Sequence, residues 1–133
     1  MIYGYCRTAN DNKKSIENQI GWIKSKGVNE KDIYIDIGSA LENGAELNKL
    51  LDSIQEGDTI FSKDINRITR SHKGLEKIIE FAKTKRVKFV LGDKIIDGIN
   101  GVDIGVEAIS AMISTLKEYE ESIENSYIDN MEE

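Results

Sequence analysis

Three short segments carry the side chains best suited to chemistry on an anion. Arg7 lies in Arg7-Thr8-Ala9-Asn10, Ser39 in Gly38-Ser39-Ala40, and Arg67 and Arg70 in the polar run 63–71. An arginine guanidinium stays charged at physiological pH and presents a planar fork of N–H donors that grips phosphate oxygens in pairs. Brought together, these arginines would form a phosphate-binding edge; left apart, they are surface residues paired with nearby acids. Metal chemistry has little to draw on. The chain holds one cysteine, Cys6, and one histidine, His72, which excludes an internal disulfide and a cysteine-rich or His/Cys metal centre. No metal and no other cofactor is expected.

The elements around these segments must bring them to one edge. Residues 2–7 are β-prone and read as a first strand. Ile16, Ile20 and Ile23 recur at helical spacing, and Lys26-Gly27 closes that helix. Ile33-Tyr34-Ile35-Asp36-Ile37 is a second strand, and 38–44 reads as a mobile loop. Leu47, Leu50, Leu51 and Ile54 form an apolar helical stripe, followed by a strand at Thr59-Ile60-Phe61-Ser62. Residues 63–71 read as a polar turn, Leu75, Ile78, Ile79 and Ala82 as a helix, and Val87-Lys88-Phe89-Val90-Leu91 as a fourth strand. In 92–100, Ile95-Ile96 is a candidate edge strand and Asp97-Gly98 a candidate turn. Strands alternating with helices predict an α/β fold with a mostly parallel central sheet of four to five strands flanked by helices. In such a sheet, ligands bind outside the carboxyl ends of the strands, where all three segments fall.

From Asp103 onward the pattern is one long helix. Ile109, Met112, Leu116, Tyr119 and Ile123 are spaced by three and four, the seam of two paired helices. We expect a C-terminal dimerisation helix; the alternative is a helix lying on its own domain. The 133 residues suit one domain, with an α/β unit at 1–102, the long helix with its acidic tail at 103–133, and no separate DNA-binding domain. With 32% charged and 39% hydrophobic residues the chain has the balance of a soluble globular protein. No apolar run approaches the roughly 18–20 residues that span a bilayer, and the first residues are no signal peptide, so we expect a cytoplasmic protein with no membrane partner. Residues 117–133 hold seven acids against one base, which accounts for the whole net charge of −6 and leaves the preceding residues neutral. Such a tail repels phosphate, so any contact with a DNA backbone is local and weak. Trp22 reads as packing, and the basic run Lys83-Lys85-Arg86-Lys88 as a solvated turn.

Five blocks occur in order and close to register: Tyr3-Gly4-Tyr5-Cys6-Arg7-Thr8-Ala9, Ser15-Ile16-Glu17-Asn18-Gln19, Glu46-Leu47-Asn48-Lys49-Leu50-Leu51, Gly57-Asp58-Thr59-Ile60 and Ile65-Asn66-Arg67-Ile68-Thr69-Arg70-Ser71. Together they resemble the catalytic domain of the serine site-specific recombinases, the resolvases and DNA invertases, best over about residues 1–91. The resemblance implies an attacking serine two residues after the first arginine, a 5′ phosphoserine link to DNA, and strand exchange within a tetramer without metal or nucleotide. It places Arg7, Arg67 and Arg70 as phosphate-binding arginines and Gln19 as a site glutamine. Ser39 matches a second site serine across a one-residue gap, and Asn66 stands where many members carry aspartate.

The departures bear on activity. The nucleophile position is Ala9, which has no oxygen to attack with. Gly44-Ala45-Glu46 stands where the family has an arginine before the helix, and Glu120-Glu121 where it carries Glu-Arg. The expected function is that of a recombinase homologue unable to cleave DNA, acting as a regulatory or accessory partner of itself or of an active serine recombinase. Two alternatives stay open. One is a truncated or engineered form of an active enzyme; the other is an anion- or protein-binding α/β module sharing the topology.

Overall fold

Alternation along the strands decides how the layers form. The computed structural model describes residues 1–8, 13–38, 44–69 and 71–100, with His72 described in its backbone. β1 (Ile2–Thr8) is followed by α1 (Lys13–Ser25), a single 3-10 turn at Glu30–Asp32, β2 (Ile33–Ile37) and α2 (Ala45–Ser53). Then come β3 (Thr59–Ser62), α3 (Ile65–Ile68), α4 (His72–Lys85), β4 (Lys88–Leu91) and β5 (Lys94–Asp97). The sheet runs β2-β1-β3-β4-β5. β1 pairs in parallel with β2 and β3, β3 in parallel with β4, and β5 closes the edge antiparallel to β4. The expected mostly parallel sheet is present with five strands. The ambiguous 92–100 segment resolves as a hairpin, in which Gly92 takes a φ of 65° between β4 and β5. A glycine suits that first turn position, where a side chain would be strained.

Side chains from alternate strand positions enter two separate clusters. Tyr5, Ile60, Phe89, Leu91 and Ile96 face one way and are covered by Leu47, Leu50, Leu75, Ile78 and Ala82 from α2 and α4. Cys6 faces the other way and meets Ile23 of α1 and Val28, with Ile33, Ile35 and Phe61 at the margin. Burying a leucine of this kind is worth about 1.5–3 kcal/mol, so the apolar stripe of α2 supplies most of its reason to dock. α1 lies close over β1: a Cβ on Gly4 would run into the Ile23 side chain. Trp22 packs half-buried beside this cluster with Lys26 Nζ 5.1 Å from its ring centre.

The segment after β3 departs from expectation. It is not a polar turn throughout, because Ile65–Ile68 forms a short helix. Ile65 and Ile68 are the reason, since both are buried in the larger core and fold the segment inward. The basic run is not one solvated turn: Lys83 and Lys85 are exposed on the last turn of α4, Arg86 is its exposed left-handed cap 3.7 Å from Glu56, and Lys88 is half-buried in β4. Residues 103–133, with the seam positions Ile109, Met112, Leu116, Tyr119 and Ile123, lie outside the described residues. Among the described residues, no helix is long and apolar enough to cross a membrane.

Candidate functional site

Strand order places the site. After β1 the chain moves to one side of it to form β2, then crosses to the other side for β3. At such a switch point the connections leave in opposite directions and open a crevice at the carboxyl ends of the two central strands. Arg7 sits at that end of β1, and the Lys63–Arg67 stretch leaves that end of β3.

The Arg7 peptide is the hub. Its N–H donates to Gln19 Oε1 at 3.0 Å, and its carbonyl accepts from Gln19 Nε2 at 3.0 Å. The same carbonyl accepts from Arg67 Nη1 at 3.0 Å, so helix α1 and helix α3 are both tied to one residue of β1. Gln19 Nε2 also donates to Ser15 Oγ at 3.2 Å, and the residue is 1% exposed. Its amide is thereby committed to holding the end of β1. Arg7 itself is 5% exposed, whereas the Arg67 side chain is 24% exposed, so Arg67 is the member of the pair that meets solvent. Asp64 Oδ2 lies 3.5 Å from Arg67 Nε and orients the guanidinium. Below this level, Ser62 Oγ donates to the Tyr5 carbonyl at 3.0 Å and locks β3 to β1.

A second anchor sits on β2. Asp36 accepts from the Tyr5 hydroxyl at 2.8 Å and from the backbone N–H groups of Glu46 and Leu47 at 3.1 and 3.0 Å. A carboxylate at this place satisfies first-turn donors of α2 and complements the positive end of the helix. The Tyr5 phenol is pushed upward in pKa by burial, and further by its hydrogen bond to Asp36, with Arg7 pulling the other way. Burial likewise pushes the Cys6 thiol up to about 12, with Arg67 opposing the shift. Both groups are therefore protonated at neutral pH, and Cys6 faces the α1 cluster rather than the arginines. Neither is an available nucleophile.

The family model described as "Resolvase, N terminal domain" matches residues 2–129. The chain belongs to the resolvase family. A "Resolvase" of Clostridium perfringens is 37% identical over 86 residues, covering 64% of this chain and 45% of that protein. A second, from Clostridium perfringens (strain 13 / Type A), is 34% identical over the same length. The "Transposon Tn917 resolvase" of Enterococcus faecalis is 27% identical over 90 residues, covering 68% of this chain and 48% of that protein. The chain spans about half the length of the curated relatives it matches.

Within this resolvase domain the structure brings together Arg7, Gln19 and Arg67, while Asn66 lies half-buried on α3 beside them. Ala9, Ser39 and Arg70 lie outside the described residues. Sequence reading passed over Asp36, although an acid at an inward position of an apolar strand was its signal. It also passed over a cavity of about 250 Å³ beside the hub, lined by Lys14, Ser15, Asn18, Gln19, Lys63 and Arg67. Lys14 lies on α1 and Lys63 just after β3, 49 positions apart, and only the fold makes them neighbours.

Proposed function

We propose that this resolvase domain takes part in site-specific DNA recombination as a member that engages DNA phosphate without attacking it. One observation carries the reading: Arg67 is tied to the Arg7 peptide at the switch point, while the position two residues further on is Ala9. Arg67 and Arg7, joined by Arg70 as the resemblance implies, supply positive charge for a backbone phosphate, which positions DNA without cutting it. Cleavage needs an attacking oxygen or sulfur as well. Ala9 has none, Cys6 is protonated and faces away, the Tyr5 hydroxyl is held by Asp36, and Thr8 is 5% exposed. With no nucleophile at the family's position, the role we assign is regulatory or accessory, through pairing with a second copy along 103–123 or with an active serine recombinase.

A paired cleavage assay tests this. The protein and its Ala9→Ser variant are incubated with supercoiled DNA from the gene's own neighbourhood and denatured before electrophoresis. Covalent protein–DNA links are expected from neither or only from the serine variant, and the serine-only result would show an otherwise intact site. Links formed by the unaltered protein would overturn the proposal.

A further inference from the structure

The two edges of the sheet are built differently. β5 is bracketed by charge, with Lys94 and Asp97 at its ends and Asp93 just before it. Charges in an edge strand guard against pairing with another chain. β2 has no such guard. Its one charged residue is Asp36, whose carboxylate points inward to the Tyr5 hydroxyl and the first turn of α2. Among the described residues no strand lies beyond β2.

The Gly38 N–H donates to the Thr8 carbonyl, so Gly38 and, by the alternation of a strand, Tyr34 and Asp36 address β1. Ile33, Ile35 and Ile37 therefore turn their peptide groups outward. The Ile33 N–H is taken by the Glu30 carbonyl, which leaves the Ile33 carbonyl and both groups of Ile35 and Ile37 along the edge. The core also thins here on both faces of the sheet. Tyr34 and Leu51 are half-buried at the rim of the larger cluster, Ile33 and Ile35 at the rim of the smaller one, and Ile37 is 54% exposed.

From this geometry we infer that the outer edge of β2 is a pairing surface for β2 of a second copy of this chain, antiparallel and centred on Ile35. The outward positions are isoleucine throughout and read the same in both directions, which is what a two-fold axis needs. Ile35 then faces the second copy's Ile35 and exchanges both N–H···O bonds with it, and the Ile37 N–H donates to the carbonyl of the second copy's Ile33. Tyr34 falls opposite the second copy's Asp36, so no like charges oppose one another. β5 offers no such register: centred on Ile95 it sets Asp93 against Asp97, and centred on Ile96 it sets Ile95 against Asp97. A five-residue strand with its rims buries less than the roughly 1,200 Å² of specific, stable interfaces, so the contact forms between copies held at high local concentration. It uses neither the arginines nor the 103–123 seam, and so holds or falls apart from the proposed function.

Equilibrium sedimentation from tens of micromolar into the millimolar range tests the pairing, in the full chain carrying Leu116→Asp so that the edge is read apart from the seam. Reversible dimers are expected at the upper end. Ile35→Lys and Ile37→Lys should weaken them about tenfold or more, while Ile95→Lys, at the other edge and 47% exposed, leaves them unchanged. Register is read by cross-linking under mild oxidation. Ile35→Cys brings the two Cα atoms to about 5.5 Å, within disulfide reach, whereas Ile37→Cys sets them about four residues apart along the strand. Covalent dimers are expected from Ile35→Cys only, since the native Cys6 is buried. A monomer throughout, equal weakening by Ile95→Lys, or equal cross-linking of Ile37→Cys would overturn the pairing. Ile37→Lys changes an exposed side chain, and thermal unfolding of each variant separates a lost contact from a lost fold.

Discussion

At the scale of single residues, two buried acids carry a testable pH signature. Tyr5 and Cys6 occupy adjacent positions of β1, face opposite clusters and are fully covered. Burial disfavours their charged forms, so each holds its proton to higher pH when folded than when unfolded. The Cys6 thiol moves from an ordinary 9.0 to about 12, and the Tyr5 phenol moves upward from 10.0. Between those limits the folded state binds more protons than the unfolded one, and stability falls with rising pH. Stability is therefore expected to be complete below pH 9 and to decline steadily as pH climbs toward 12. Urea midpoints measured across that range check it, and in Cys6→Ala the onset should move up toward 10, where tyrosine begins to titrate. An unchanged onset would mean that the thiol has no part in the decline.

At the scale of elements, the site depends on contacts between helices and the end of one strand. Gln19 pairs with both backbone groups of Arg7, a bond pattern that a neighbouring β-strand would otherwise provide. It thus fastens α1 to β1 at the last described residues before 9–12. A Gln19→Leu change keeps the volume and strands the buried Arg7 N–H, which costs about 1–3 kcal/mol. The measurement is the urea midpoint at pH 7, with the slope of the transition unchanged if only the native state is affected. Asp36 does the corresponding work for α2, and Ser71 for α4, where its Oγ accepts from the Gly74 N–H at 2.9 Å. The β4–β5 turn also touches this end of the molecule: a Cβ on Gly92 would come within 2.7 Å of the Lys63 carbonyl. The hairpin therefore braces the strand exit from which Lys63 enters the cavity.

At the scale of the whole molecule, charge is divided between two regions. Residues 1–116 are neutral overall, yet the switch point gathers Arg7, Arg67, Lys14 and Lys63. Residues 117–133 hold the entire net charge of −6. Under the proposal of a paired helix along 103–123, Leu116 lies near the centre of the seam with Met112 and Tyr119. Leu116→Asp should then convert a dimer to a monomer in equilibrium sedimentation at tens of micromolar. A monomeric unaltered protein at that concentration would remove the pairing from the functional reading. Rising salt is expected to strengthen self-association, since it screens the repulsion between two acidic tails brought side by side.

Several features were legible in one dimension because they rest on local rules. Apolar spacing located α1, α2 and α4, and short β-prone runs located β1 to β4, since helix and strand periods are set by backbone geometry alone. Five motif blocks marked the family, and Ala9 stood out against them as a side chain without a nucleophile. Other features had no local signature. The helical turn at Ile65–Ile68 forms because two isoleucines find a core built by distant strands, in a run whose composition reads as loop. Ile95-Ile96 did mark a candidate edge strand, but its antiparallel pairing with β4 is a contact that propensity does not encode. Gln19 carried a family role by position, but its hydrogen bonds to the Arg7 peptide required α1 to be laid over β1. Asp36 and Tyr5, 31 positions apart, meet only because their strands pair in parallel register, and Lys14 and Lys63 because the chain crosses β1 between them. Residue chemistry and periodicity are properties of the chain, whereas which charges share a cavity is set by strand order.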